Sequence, residues 1–229
     1  MFKYFFTIVA FLLFTATANA QTIYKVNLSG TGSLEKIAFL LNEAVVVNIS
    51  KDGSLLTWGV DNYVGRADNY NDRLVEYTGK TGYYGENDNE AFRGKLRFIG
   101  QTYFTYYGSY DNEMLRGKIK SIGNMPLDYY LSYDNETYRG NIKSIGSMAV
   151  TWYGSFDNVG YKGKLKNLGI TAFSYYSSFD DKLIRGKIKM IDRTAFTYYT
   201  SQDQKDYRGG FKTGSPLTYV NGIKFFIGN

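Results

Sequence analysis

The chain has 229 residues, a net charge of +6, and an aromatic load of 23 Tyr, 16 Phe and 2 Trp, with no Cys and no His. The missing thiols and imidazoles exclude disulfide stapling, Ser-His and Cys-His catalysis, and zinc or haem sites built on those ligands. The charge is too modest to point to a nucleic-acid partner, and no cofactor or metal is implied.

Residues 1–20 read as a signal peptide. Lys3 supplies the positive start, residues 4–14 are apolar, and Ala18-Asn19-Ala20 is a small-x-small cleavage site. The apolar run is shorter than the ~20 residues of a membrane-spanning helix. The mature chain is therefore predicted to begin at Gln21 and to be secreted or periplasmic, with surface association open.

Residues 21–229 are predicted to form one all-β domain. Its first part, 21–82, reads as an N-terminal cap followed by degenerate repeats. Residues 23–28 alternate as a strand, and 44–50 and 54–58 form a hairpin with Asp52-Gly53 at its turn. The stretch 33–42 fits a strand better than a helix, because Gly32 to Ile37 has the spacing of Gly117 to Ile122. Gly79-Lys80-Thr81 lacks the upstream glycine of a phosphate loop and reads as a turn.

From 83 to 212 one 23-residue unit recurs without insertion or deletion. It reads FRGKLRFIGQTYFTYYGSYDNEM at 92–114, LRGKIKSIGNMPLDYYLSYDNET at 115–137 and YRGNIKSIGSMAVTWYGSFDNVG at 138–160. Two further copies fill 161–206, and 213–229 reads as a closing strand. In the unit 115–137, residues 115–122 and 127–133 are predicted as two antiparallel strands. Side chains alternate between the faces of a strand, which puts Leu115, Gly117, Ile119 and Ser121 together. Leu127, Tyr129, Leu131 and Tyr133 likewise share a packed face. The expected fold is an antiparallel meander of repeated hairpins forming an extended, twisted sheet with one face packed and one wet. Strands of this length fall short of the ~9–11 residues a membrane barrel needs.

The 23-residue step turns positions into rows. Tyr106, Tyr129, Trp152, Tyr175 and Tyr198 lie on the packed face. Tyr107, Tyr130, Tyr153, Tyr176 and Tyr199 lie on the wet face, beside Lys95, Lys118, Lys164 and Lys187, with Asn141 interrupting the lysines. Glycines 94, 117, 140, 163, 186 and 209 are expected to leave room for a neighbouring ring. The turn aspartates, from Asp88 to Asp203, are each followed five residues later by Arg or Lys, an expected staple. The oxygen-rich stretches 86–90 and 180–181 match no calcium loop and read as turn chemistry.

The openings Tyr138-Arg139-Gly140-Asn141-Ile142-Lys143 and Tyr161-Lys162-Gly163-Lys164-Leu165-Lys166, with Tyr153 and Asp157 behind the first, resemble the MORN repeat over roughly 83–212. That resemblance implies an extended single-layer antiparallel sheet of hairpins. Aspartates that recur in every unit do not look like an active site, so the chain is expected not to be an enzyme. The expected function is a binding module that presents Tyr107, Tyr130, Tyr153, Tyr176, Tyr199, Lys118, Lys164, Lys187 and Trp152 to a glycan, an envelope component or a protein. The alternative is a structural or assembly protein of the cell envelope whose aromatic rows serve packing only.

Overall fold

The computed structural model describes residues 22–64 and 73–228; the predicted signal peptide lies outside the described residues. β-Branched and aromatic residues dominate the chain and favour strands throughout. The described residues accordingly form nineteen strands and two short 3-10 segments, with no α-helix.

The first strands are β1 (Thr22–Leu28), β2 (Leu34–Leu40), β3 (Val45–Ile49) and β4 (Leu55–Val60). The stretch favoured as a strand over a helix is thus β2. Gly53 takes φ +80 at the tight turn between β3 and β4, as the Asp-Gly pair requires. The array then runs through β5 (Thr81–Tyr83), β6 (Leu96–Ile99), β7 (Thr102–Tyr106), β8 (Ile119–Ile122), β9 (Met125–Tyr129) and β10 (Ile142–Ile145). It continues as β11 (Met148–Trp152), β12 (Leu165–Leu168), β13 (Thr171–Tyr175), β14 (Ile188–Ile191) and β15 (Thr194–Ala195). Last come β16 (Thr197–Tyr198), β17 (Phe211–Thr213), β18 (Leu217–Val220) and β19 (Ile223–Ile227).

Strands β5 to β15 make an eleven-stranded antiparallel sheet in strict chain order, open at both ends and not closed into a barrel. A six-stranded cap sheet has the order β18-β19-β1-β2-β3-β4, and β16 pairs with β17. The expected closing strand is therefore two strands. One pairing departs from the antiparallel rule: β1 runs parallel to β19, so the first and last strands described meet in one sheet.

The cap sheet covers the packed face of the array instead of leaving it as a single layer. Val26, Ile37, Phe39, Val47 and Ile49 from the cap share one core with Phe104, Ile122, Leu127, Val150, Leu165 and Phe173 from the units. Phe173 meets Phe225 edge-on at 5.6 Å, and Asn221 Nδ2 donates to Thr171 Oγ1 at 3.0 Å across the layers. Each buried Ile or Leu contributes about 1.5–3 kcal/mol.

The unit differs from simple alternation in two ways. Its strands have four and five residues, so Leu115-Arg116-Gly117-Lys118 and 130–133 belong to the long turns that precede and follow the pair. Each first strand also carries a bulge. Phe104 pairs with Ile122, Thr105 with Ser121, and Tyr106 with Ile119, which leaves Lys120 as the extra residue. One extra residue reverses the alternation, so Ile119 and Ile122 are both buried although they are three positions apart. Strict period two had grouped Ile119 with Ser121. The pairings between units, β9–β10, β11–β12 and β13–β14, show the same register shift.

Candidate functional site

The inner aromatic row is structural. Tyr106, Tyr129 and Tyr175 are buried, and their hydroxyls donate to the carbonyls of Leu96 (2.9 Å), Ile119 (2.7 Å) and Leu165 (2.7 Å). Each bond reaches back ten residues to the paired strand. Trp152 occupies the same position, is 5% exposed, and uses its indole N–H for the same bond to Ile142 O at 2.9 Å. The position thus needs a large ring carrying one donor, which Tyr and Trp both supply. Trp152→Phe is expected to cost about 1–3 kcal/mol more than Trp152→Tyr, because it leaves the Ile142 carbonyl unpaired. Urea denaturation of the two variants checks this.

The outer row is also engaged inside the fold. The hydroxyls of Tyr107, Tyr130, Tyr153 and Tyr176 donate to Leu127, Val150, Phe173 and Phe196 O at 2.8–3.1 Å, each twenty residues ahead in the next unit. Burial raises the pKa of all four phenols, with nearby groups such as Asp128, Tyr138 and Tyr161 adding to the effect. The cations beside these rings are not the predicted lysines. They are the bulge residues: Lys120, Lys143, Lys166, Lys189 and Lys212 lie 5.4–5.7 Å from the rings of Tyr107, Tyr130, Tyr153, Tyr176 and Tyr199. A ligand stacking on this row would have to displace them.

Lys118, Lys164 and Lys187 turn the other way. They precede their strands, where alternation does not yet hold, and their ammonium groups lie 4.9–5.4 Å from the inner rings Tyr129, Tyr175 and Tyr198. Each also donates to a glycine carbonyl of the next unit, at Gly140, Gly186 and Gly209. Those glycines sit in turns at φ between +74 and +81, so they do not leave room for a ring as expected. A Cβ on Gly186 would come within 2.5 Å of Lys164 Nζ and 2.6 Å of Gly160 O. Asn141 breaks the row because the 50–54 turn of the cap lies over it. The side chain is 5% exposed and the next amide, Ile142 N–H, donates to Lys51 O at 2.8 Å. A lysine there would bury its charge.

The long turns form a ladder of their own. Asp88, Asp111, Asp134, Asp157, Asp180 and Asp203 each accept the amide three residues earlier at 2.6–2.7 Å. The expected staple is altered: Arg116, Arg185 and Arg208 Nε donate to the aspartate's main-chain carbonyl and not to its carboxylate. The carboxylate already holds the turn amide. Asn89, Asn135 and Asn158 then tie successive turns together through Ser109, Ser155 and Ser178. These cross-turn links were not evident without the turn geometry.

One row faces solvent with no internal partner role. Tyr110, Tyr133, Phe156 and Phe179 stand at the turn tips, 99, 80, 102 and 91% exposed. Tyr133 was expected on the packed face; the strand ends four residues before it. The sequence signal for this row lay in the flanking units, where the same position holds Asn87 and Gln202. Those turns keep the same Asp-to-amide bond, at Asp88 and Asp203, so the turn itself does not require an aromatic residue. Two strands per unit at about 4.8 Å each space the four rings by about 10 Å. Compared with known proteins, the chain matches no family model, no curated protein and no solved structure.

Proposed function

We propose that the chain is an exported, non-catalytic binding protein whose contact surface is the aromatic row Tyr110, Tyr133, Phe156 and Phe179. The ligand is an extended, uncharged glycan strand of the cell envelope. The observation that carries this reading is the contrast within the array: four consecutive central turns expose a ring, and both flanking turns replace it with an amide side chain without changing the turn. Exposed aromatics in a contiguous line mark interaction surfaces, and flat rings stack on pyranose faces. The ~10 Å step lets a β-linked polysaccharide meet one ring at every second sugar.

Charge favours a neutral ligand. Segments 109–116, 132–139, 155–162 and 178–185 hold seven carboxylates and five cations, which disfavours an anionic lipid surface. Export rests on the leader-like residues 1–20. Resemblance to MORN units supports the stacked-hairpin architecture and is not the basis for the ligand. A packing-only role, the second reading, suits the inner row, where Tyr106, Tyr129 and Tyr175 bond within their own unit, and the outer row, where Tyr107, Tyr130, Tyr153 and Tyr176 bond to the next.

The test replaces Tyr133, Phe156 and Phe179 together by Asn. Because the side chains are exposed, stability is expected to stay within about 0.5 kcal/mol, while retention on peptidoglycan sacculi, cellulose or chitin is lost. A triple variant retained as well as the parent sinks the proposal.

A further inference from the structure

The half-buried lysines supply an internal comparison. Lys118 Nζ donates to Gly140 O at 2.5 Å and to Asp52 O at 3.0 Å. Lys164 Nζ donates to Gly186 O at 2.7 Å and to Thr31 O at 2.5 Å. In both cases the second acceptor comes from a turn of the cap sheet. Lys95 holds the same place in the preceding unit, over the Tyr106 ring at 5.4 Å, and donates to Gly117 O. Among the described residues no cap turn supplies it with a second acceptor. Where that acceptor would be, the structure has a cavity of about 330 Å³.

An ammonium group has three donors, so Lys95 meets this cavity with donor capacity left over. The walls are Trp58 and Leu55 from β4 on one side, and Tyr83 and Tyr106 from the array on the other. Ser54 adds a hydroxyl. Among the described residues no Asp or Glu lines the space, so no carboxylate of the protein competes for the ammonium. The volume falls within the ~300–1,000 Å³ of small-molecule sites, and the lining has their usual form of apolar walls with a few aimed polar groups.

We propose that this cleft binds a small ring-bearing carboxylate, with the carboxylate on Lys95 and the ring against Trp58. Burial lowers the Lys95 pKa, and a bound carboxylate offsets that loss of solvation. The site is separate from the turn row, and each stands or falls without the other.

The test is an NMR titration of the mature chain with two probes, phenylacetate and glucuronate. Saturable shifts are expected at the Trp58 indole and the Gly117 amide, and the tighter probe tells an aromatic acid from a sugar acid. The neutral counterparts phenylacetamide and glucose are expected to bind about tenfold more weakly or worse, since they lack the charge-assisted bond. Lys95→Met is expected to weaken the acid to the same degree, and Lys166→Met to leave it unchanged. The proposal is overturned if neither acid gives saturable shifts at these positions, if acid and neutral counterpart bind alike, or if Lys95→Met binds as the parent does. Should Lys95→Met fail to fold, the comparison of acid with neutral counterpart on the unaltered chain decides.

Discussion

Gly53→Ala is expected to lower stability by about 3 kcal/mol or more, while Gly222→Ala costs about 1 kcal/mol. Both glycines have nearly the same backbone, at φ +80 and +79, so both substitutions carry the left-handed penalty of an L-residue. Their surroundings differ. A Cβ on Gly53 would fall 2.0 Å from the Tyr129 hydroxyl and 2.4 Å from its ring, whereas one on Gly222 meets nothing within 4 Å. Tyr129 cannot retreat cheaply, because it is 1% exposed and holds Ile119 O. The alanine must therefore lift the cap turn or break that bond. Urea midpoints for the two variants measure the difference. Equal losses would mean that the cap turn does not rest on Tyr129.

Raising the pH above 10 is expected to unfold the chain in a steep, cooperative step. Burial holds the phenols of Tyr106, Tyr129, Tyr175 and Tyr198 above their ordinary value of 10.0. In the unfolded chain they ionise near 10, so above that pH the unfolded state binds fewer protons than the folded one. Each phenol then removes about 1.4 kcal/mol per pH unit, or about 5 kcal/mol per unit for the four. The half-buried outer row acts in the same direction but more weakly, because water screens it.

The lysines act in the opposite sense at lower pH. Burial pushes Lys164 down to about 8 and lowers Lys95, Lys118 and Lys187 from 10.5. Between about 8 and 10.5 the folded chain sheds protons that the unfolded chain keeps, so this contribution rises with pH. Stability is expected to peak near pH 9–10 and then to collapse. Urea midpoints across this range, read beside tyrosinate absorbance, test both signs. If all 23 phenols titrate near 10 while the fold persists, the inner row is not buried as described.

The sequence made the repeat, the all-β class, the Asp-Gly turn and the turn aspartates legible, because each is a local rule. Period-two alternation correctly buried Leu127 and Tyr129, which lie on an unbroken strand. It misplaced Tyr133 because the strand ends at Tyr129, and the basic rows for a different physical reason. The bulge at Lys120 and the left-handed glycine before each strand shift the register, and neither leaves a mark in hydropathy. The outer tyrosine hydroxyls looked available to a ligand because their acceptors are carbonyls, which are the same in every residue. The solvent-facing ring row is visible only once the turn tips are known. The cap was half legible: the strands of 22–60 were readable, but their pairing with 217–227 is a contact between chain ends with no local signature.

That pairing has a consequence for how such a protein can change over generations. A repeat array with free ends tolerates the gain or loss of one copy, since each unit needs only its neighbours. Here the cap seats at set addresses: the 50–54 turn on Lys118 and Tyr129, the 29–33 turn on Lys164, Tyr175 and Gly186, and β1 against β19. Duplicating or deleting 23 residues between those addresses would pull every seat out of step at once. Copy number is therefore a fixed dimension of the molecule, like the span of a bridge between two piers. Its diversity has to arise by point substitution at the turn tips, where the side chains bear no structural weight.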